Sequence, residues 1–354
     1  MSVPVNDGLA QISDNLMVSA TVVYALAMVG YLAEAAFGGR GRVSRALAAS
    51  ERDASEHVAE PVSVGAGASV PPTSAPPTSV APDSDGAEPH PAQARPLRTP
   101  AERVGRSAVS LTVLGFALHL LGVLGRGVSA GRAPWGNMYE FSTAGALAAV
   151  GVFLFLLTRQ RVRYLGGVLM IPVVLTMGTA VTLLYTESAR LVPALDSYWL
   201  AIHVTAAVLC AGIFTVSTAA TVLYLVAERY DRRTAASLPT SGVSAAVRRL
   251  AGPETLDGLA YRTVSFGFPL WTFAVVAGAI WAEAAWGRYW GWDPKETWAF
   301  ITWVVYACYL HARATAGWRG RRAAVVALVA YGAFVFNYVG VNLFLNGLHS
   351  YAGV

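Results

Sequence analysis

Long uninterrupted apolar segments constrain this sequence more than any other feature. A run of about 20 apolar residues can cross the hydrocarbon core of a bilayer as one helix. Such segments lie at about 15–37, 104–125, 141–158, 165–186, 198–227, 264–285, 297–316 and 323–345. Charged residues make up only 13% of the chain, about half the usual share in a soluble domain. The expected fold class is therefore all-α, a polytopic helical membrane protein with about eight transmembrane helices.

Basic residues predict the orientation, because cytoplasmic loops carry the excess of Lys and Arg. If the eight segments alternate, the arginine-rich stretches at 38–106, 159–163, 229–249 and 313–322 fall on one side. The other side holds only Arg126, Arg132, Arg190, Arg288 and Lys295. Both termini are therefore expected to be extracytoplasmic. The net charge of +5 reflects the inner loops and requires no nucleic acid.

Residues 38–103 differ in composition from the apolar segments on either side. They are rich in Ala, Pro, Ser and Gly, with Pro-Pro-Thr-Ser-Ala-Pro-Pro-Thr-Ser at 71–79. Such a segment cannot bury enough apolar surface to fold, so we expect a disordered cytoplasmic linker. The predicted organisation is an N-terminal transmembrane helix at 1–37, this linker, and a transmembrane domain at 104–354. The sequence shows neither an internal repeat nor coiled-coil heptads, and Leu256–Tyr261 is expected to form a short interfacial helix.

The loop between the sixth and seventh segments has an unusual composition. Residues 285–298 read Ala-Trp-Gly-Arg-Tyr-Trp-Gly-Trp-Asp-Pro-Lys-Glu-Thr-Trp and contain four of the ten tryptophans. Interfacial anchoring usually uses one or two aromatic residues per helix end, and it does not explain the charges. Flat rings beside fixed charges predict a surface for a large planar ligand with acidic edges. The candidate residues are Trp286, Trp290, Trp292, Asp293 and Trp298.

Two histidines are predicted to lie on the same side as this loop. His203 is about 8 Å into the fifth segment from its outer end, and His349 follows the last segment. Two neutral imidazoles from separate helices can hold haem iron from both faces. A structural role for each histidine is the alternative at this point.

Two further histidines lie within apolar segments at different depths. His311 is toward the inner half of the seventh segment, where ionisable residues are rare and usually functional. The alternative is a hydrogen bond from its ring to a backbone carbonyl across a helix interface. His119 is nearer the outer face, and a depth difference of about 14 Å makes the two a poor axial pair. An iron bound by His311 is therefore expected to take its second ligand from another protein.

Other polar residues give weaker signals. Arg126 and Asn137, on the outer side, are candidates for bonding haem propionates, although Asn137 is equally suited to capping the third helix. Asp293 also suits the N-terminal end of the seventh helix. Cys210 and Cys308 lie in apolar segments and are expected to be packing residues, so a thiol–disulfide enzyme is not expected.

The stretch from Trp286 to Glu296 resembles the tryptophan-rich WWD signature of haem-handling proteins in cytochrome c maturation. Within that superfamily, residues 104–354 resemble the CcsA type of the System II pathway, also called ResC or, in some bacteria, CcsB. The resemblance implies that His203 and His349 are external haem ligands and that His311 is a transmembrane haem ligand. The segment 38–103 departs from the family pattern, and the resemblance assigns no role to His119.

The implied function is cytochrome c biogenesis, and the implied location is a bacterial plasma membrane. The protein would bind haem b and present it on the extracytoplasmic side to the Cys-x-x-Cys-His motif of an apocytochrome c. The implied enzyme is a cytochrome c synthetase, or haem lyase, shared with a ResB-type membrane partner. A haem exporter or chaperone without ligase activity is an alternative that uses the same ligands. A b-type electron-transfer protein usually needs bis-His pairs at matched depths, which this chain lacks, and a solute transporter tends to show repeated halves.

Overall fold

A computed structural model describes residues 6–37, 99–189, 197–238, 247 and 250–349, and these residues form helices and no strand. The long helices are α1 (Asp7–Phe37), α2 (Pro100–Ala130), α3 (Met138–Arg159), α4 (Gly166–Thr182), α5 (Tyr198–Ala235), α6 (Pro253–Trp286), α7 (Pro294–Thr315) and α8 (Arg321–Val335). A 3₁₀ turn at Arg163–Leu165 precedes α4. After α8 the chain forms a π-helical turn (Phe336–Gly340) and a short helix, α9 (Val341–Phe344). The expected all-α membrane fold is confirmed.

Seven helical stretches are long and apolar enough to cross a membrane, namely α1 to α6, with the 3₁₀ turn included in the α4 stretch, and Arg321–Phe344. Helix α7 has 22 residues but is less apolar, because Trp, Tyr and charged side chains interrupt its aliphatic residues. It nevertheless runs antiparallel to α6 along its length. Trp271 Nε1 donates to the Ala299 carbonyl near one end, and Arg313 pairs with Asp257 near the other. Helix α7 therefore lies alongside α6 from Asp257 to Trp271, over about 21 Å at 1.5 Å per residue.

Successive helices of the bundle run in opposite directions, so their termini lie at two opposite ends of the bundle. Helices α5 and α6 are antiparallel, with His203 opposite Ala274 and Ser217 opposite Ala260. The start of α1 lies beside the end of α2, where the Asn6 N–H donates to the Ser129 carbonyl. After eight crossings the chain returns to that end. We call it the outer end, following the orientation that the basic loops predict.

Helices α1 and α2 pack against each other through buried positions that recur every seven residues. The buried positions of α1 are Ser13, Met17, Ala20, Tyr24, Ala27 and Tyr31. The facing positions of α2 include Gly105, Ala108, Thr112, Gly115, His119 and Gly122. Small residues allow this close approach, since a Cβ on Gly115 would lie 2.7 Å from the Tyr24 ring. The expectation that the chain has no heptad spacing is therefore wrong.

Two predicted boundaries in the chain also differ from the structure. Helix α2 begins at Pro100 rather than near 104, because Thr99 and Glu102 form a capping box ahead of it. The predicted short interfacial helix at Leu256–Tyr261 is instead part of α6. Leu256 is buried in the core, because the α6 pattern continues through it without a break.

The remainder of the predicted linker, residues 38–98 with His57 and His90, lies outside the described residues. The domain division at 1–37, 38–103 and 104–354 remains a prediction.

Candidate functional site

A partly open cavity lies among α3, α5, α6, α7 and the π-helical turn. Aromatic side chains of the outer end line its mouth, including Trp135, Trp286, Tyr289 and Trp290. Farther into the bundle it is lined by Ala207, Trp271, Val275, Ala299 and Phe334. Along α6 the lining residues extend from Trp271 to Trp286, over about 22 Å at 1.5 Å per residue. The cavity therefore has the length and the apolar character suited to a large planar ligand.

His203 reaches the cavity from the rigid helix α5. Its Nδ1 lies 2.8 Å from the Ala274 carbonyl of α6. A carbonyl oxygen only accepts hydrogen bonds, so Nδ1 carries the proton and Nε2 is the basic nitrogen of the ring. Gly278 makes room for this ring, because a Cβ there would lie 2.7 Å from His203 Cε1.

His349 reaches the same cavity from the non-helical segment after α9. Its Nδ1 lies 2.8 Å from Asp293 Oδ1, and the neighbouring Leu348 N–H donates to Asp293 Oδ2 at 2.7 Å. The carboxylate therefore holds both the backbone and the ring of this segment. As for His203, the hydrogen bond at Nδ1 makes Nε2 the basic nitrogen of the ring.

Asp293 connects this segment to α7, because it is also the N-cap of that helix. Its Oδ1 accepts the Lys295 N–H at 3.1 Å. Burial alone would raise the pKa of Asp293, but the hydrogen bonds from His349, Leu348 and Lys295 hold it below its ordinary value. The carboxylate is therefore ionised at neutral pH. A carboxylate that orients an imidazole in this way is the usual support of a metal-ligating histidine.

Trp281 lies beside both histidines. Its ring is stacked on His203 at a centroid distance of 6.3 Å, and it meets His349 edge-on at 5.9 Å. The two imidazoles are therefore separated by no more than the sum of these distances. Trp286 completes the group, 4.8 Å from Trp281 and 4.9 Å from His349. The structure thus brings together two histidines that are far apart in the sequence.

Glu296 fixes the shape of the Trp-rich loop. Its carboxylate accepts the N–H groups of Gly291 at 2.8 Å and Asp293 at 3.1 Å, and it pairs with Arg288 at 3.3 Å. Trp292 has a φ of 58°, a left-handed conformation that is unfavourable for a bulky residue. The hydrogen bonds on either side of Trp292 compensate this local strain.

The four tryptophans of the loop take two different positions. Trp286 and Trp290 line the cavity. Trp292 is 63% exposed and contacts Phe300 on the outside of the bundle. Trp298 packs on Phe336 and is absent from the cavity wall.

Arg126 does not line the cavity, contrary to its predicted role with propionates. Its guanidinium is buried and bonds Glu140, Asp14 and the Thr186 carbonyl. Arg132 donates to the same Glu140 carboxylate at 2.7 Å. These contacts tie α1, α2 and α3 together, so Arg126 has structural partners. We call Asp14, Arg126, Arg132 and Glu140 the outer ion cluster.

Asn137 is the N-cap of α3, and it also lies on the cavity wall. Its side-chain oxygen accepts the Glu140 N–H at 2.9 Å. The two other transmembrane histidines, of which only His311 was a predicted haem ligand, lie elsewhere. His311 is exposed on α7, and His119 is fully buried between α1 and α2 with Nδ1 3.3 Å from the Tyr24 hydroxyl.

Several lining residues had not been predicted. They include Trp281, Lys295, Asn337 and Tyr338. A signal for Trp281 exists in the sequence, because Trp271, Ala274, Gly278 and Trp281 recur at helical spacing and mark one face of α6. The sequence gave no such signal for Lys295, because its neighbours Asp293 and Glu296 are acidic and suggest that Lys295 only neutralises their charge.

The chain is similar to known proteins over the segment that contains the cavity. Residues 135–349 match the family model described as Cytochrome C assembly protein. The cytochrome c biogenesis protein CcsA of Guillardia theta is 40% identical over 244 residues, which cover 64% of this chain and 79% of that protein. CcsA of Gloeobacter violaceus is 35% identical over 296 residues, covering 70% and 85%. CcsA of Thermosynechococcus vestitus is 36% identical over 290 residues, covering 72% and 88%. The matched segment begins and ends on residues of the cavity wall, Trp135 and His349.

Proposed function

Because this chain belongs to the family of cytochrome c assembly proteins, it acts in cytochrome c biogenesis, and we propose that it does so by holding haem b between His203 and His349 in the outer cavity. It is a multi-pass membrane protein. In this role haem is the cargo of the protein, which is passed on to an apocytochrome c.

One observation supports this role most strongly. Both imidazoles line one cavity, and each has Nδ1 engaged by an acceptor, a backbone carbonyl for His203 and a carboxylate for His349. Nε2 is then the ligating nitrogen of both rings, which is the arrangement that an iron between them requires. The aromatic walls, with Trp281 and Trp286 beside the histidines, suit the faces of a planar macrocycle.

The proposed product is a cytochrome c with covalently attached haem. Each thiol of the Cys-x-x-Cys-His motif adds across one haem vinyl group, so that the S–H hydrogen and the sulfur both end on the former double bond. The chain's contribution is to orient the haem and to exclude water around it. Holding reacting atoms about 3–3.5 Å apart raises their effective concentration strongly.

The second part of the proposal concerns His311 and a ResB-type partner. His311 is exposed on α7, a helix that crosses the bundle, so its imidazole faces away from the outer cavity. A polar side chain on the outer surface of a transmembrane helix is costly unless another group meets it. A partner helix that supplies a second iron ligand there would form an inner haem site, from which haem moves outward to His203 and His349.

The test is co-expression with a ResB-type partner and a Cys-x-x-Cys-His substrate, with covalent haem detected by peroxidase stain. His203→Ala and His349→Ala should each abolish the product, and added imidazole should restore part of it. His57→Ala, which removes an imidazole far away in the sequence, serves as the control and should retain full activity.

Two outcomes of this test would contradict the proposal. Full activity of both cavity variants would exclude the pair as haem ligands. Haem bound by the wild-type complex without any covalent product would favour the exporter or chaperone alternative.

A further inference from the structure

Lys295 is a cation on the cavity wall without a carboxylate partner. It occupies the second position of α7 and lines the cavity beside the Trp-rich loop. Within the described part of the chain, no carboxylate oxygen lies within 4 Å of its Nζ, although the neighbouring Asp293 and Glu296 are acidic. Asp293 is engaged by His349, and Glu296 by Arg288 and loop N–H groups. Asp293 acts on the Lys295 ammonium through its charge but makes no ion pair with it. A partly buried ammonium without a direct ion pair favours an anionic ligand.

The immediate surroundings of Lys295 hold its ammonium in place and leave some of its N–H donors available for a ligand. Its Nζ donates to the Asn337 carbonyl at 3.1 Å and lies 5.9 Å from the centre of the Tyr338 ring. An ammonium has three N–H donors, and this carbonyl uses one of them. Asn337 is in the π-helical turn, a local widening of the helix that is frequent at functional sites.

Two other polar side-chain atoms on the cavity wall have no hydrogen-bond partner among the described residues. They are Trp135 Nε1 and Asn337 Oδ1, and both are buried. A buried polar atom of this kind is usually satisfied by a ligand or by water. An amide side chain can also be turned, so that Asn337 presents its NH₂ group instead of its oxygen.

We propose that Lys295, assisted by Asn337, binds a carboxylate group of the cargo, so that the cavity selects haem with free propionates. This inference rests on the proposed haem-binding function and gives it an orientation. Two axial imidazoles fix the iron but leave the macrocycle able to rotate about the axis through them. A carboxylate held to one side of this axis stops the rotation and determines which edge of the ring, and therefore which vinyl groups, faces the apocytochrome. Lys295 is in this sense a positioning residue.

The test is an optical titration of the full-length chain, purified with its partner, with haem and with haem dimethyl ester. The wild type should bind haem at least about tenfold more tightly than the ester, as expected for a charge that pairs with a partly buried cation. Lys295→Met should lose about this factor for haem and little for the ester. Lys295→Arg should retain the preference, and Arg321→Met, at the opposite end of the bundle, should behave as the wild type.

Equal affinities of the wild type for haem and its ester would overturn the inference, as would an equal loss of both ligands in Lys295→Met. If Lys295→Met does not accumulate, the wild-type comparison and Lys295→Arg still decide the question. The proposed function fails separately, through the absence of a bis-imidazole spectrum with either ligand. A bis-imidazole spectrum without discrimination between the ligands contradicts only the role of Lys295.

Discussion

The outer end of the bundle contains two groups of buried polar residues, and they differ in whether their partners are present. In the outer ion cluster, Arg126 and Glu140 are each 1% exposed, and they pair at 3.1 Å. Asp14 and Arg132 add further ion pairs to the same two residues. In the cavity, by contrast, Lys295 has no carboxylate within 4 Å, and two buried polar atoms have no partner among the described residues.

This difference separates a structural cluster from a binding site. A charge cluster whose members satisfy one another stabilises one arrangement of helices, here α1, α2 and α3. A set of convergent polar groups that lack partners, on the wall of an aromatic cavity, is complete only with a ligand. Substitutions in the first group should therefore reduce the amount of folded protein, and those in the second should reduce haem binding.

The largest effect on stability is expected from Glu140→Gln. This change leaves Arg126 buried without its closest counterion, which costs roughly 3–5 kcal/mol. Thermal unfolding of the purified protein should show a clearly lowered Tm, while the haem affinity of the protein that remains folded stays unchanged. Glu283→Gln, at an exposed position on α6, is the control. A normal Tm with weakened haem binding would instead place Glu140 in the binding site.

A smaller, selective effect is expected from Asp293→Asn. Asparagine is as good an N-cap as aspartate, so α7 should be retained. Because hydrogen bonds keep the pKa of Asp293 below its ordinary value, the wild type has a charged acceptor for His349 at neutral pH, and the variant does not. Loss of such a supporting carboxylate typically weakens metal affinity about 10–100-fold.

Optical titration with haem measures the effect of Asp293→Asn, and Asp231→Asn on the exposed part of α5 is the control. Unchanged haem affinity in Asp293→Asn would show that His349 needs no carboxylate, and the importance of the segment after α9 would have to be revised.

A still smaller effect should separate two tryptophans of the same loop. Trp286 lines the cavity and contacts His349, whereas Trp292 is exposed on the outside. Trp286→Ala should weaken haem binding several-fold, since a favourable aromatic contact is worth about 0.5–1.5 kcal/mol. Trp292→Ala should stay within about twofold of the wild type. Equal losses in the two variants would mean that the loop acts as a whole rather than through its cavity face.

The smallest effect is expected from deleting residues 45–95, which lie outside the described residues. Their composition predicts a linker without its own core. Covalent haem attachment to a co-expressed substrate should be largely retained. Lost activity at a normal protein level would assign the segment a role that neither of the two polar groups explains.

The sequence was sufficient to predict the helices and to place His203 and His349 at the same end of the bundle. Long apolar runs define the crossings, and their alternation places His203 and His349 at the same end as the Trp-rich loop. Trp281 recurs at helical spacing with Trp271 and Gly278, which marks one face of α6 but does not say whether that face meets lipid or a cavity. Only packing against α5 and the segment after α9 brings it to the histidines.

Two other features of the structure could not be predicted from the sequence, for different physical reasons. In a membrane, apolar residues cover the lipid-facing surface as well as the interior, so the α1–α2 interface is marked by small residues such as Gly115 rather than by hydrophobicity. Arg126 and Lys295 are both outer cations by sequence. Their roles differ because Glu140 and Asp14 form ion pairs with Arg126, whereas no carboxylate of the described residues lies within 4 Å of the Lys295 ammonium.

An absorption spectrum of the full-length protein purified with its partner and loaded with haem is the most direct measurement. The wild type should show a low-spin, bis-imidazole haem, and the signal attributable to the outer cavity should disappear in both His203→Ala and His349→Ala and return with added imidazole. An unchanged low-spin spectrum in the two variants would show that these imidazoles do not hold the iron, and the cavity would then need another ligand.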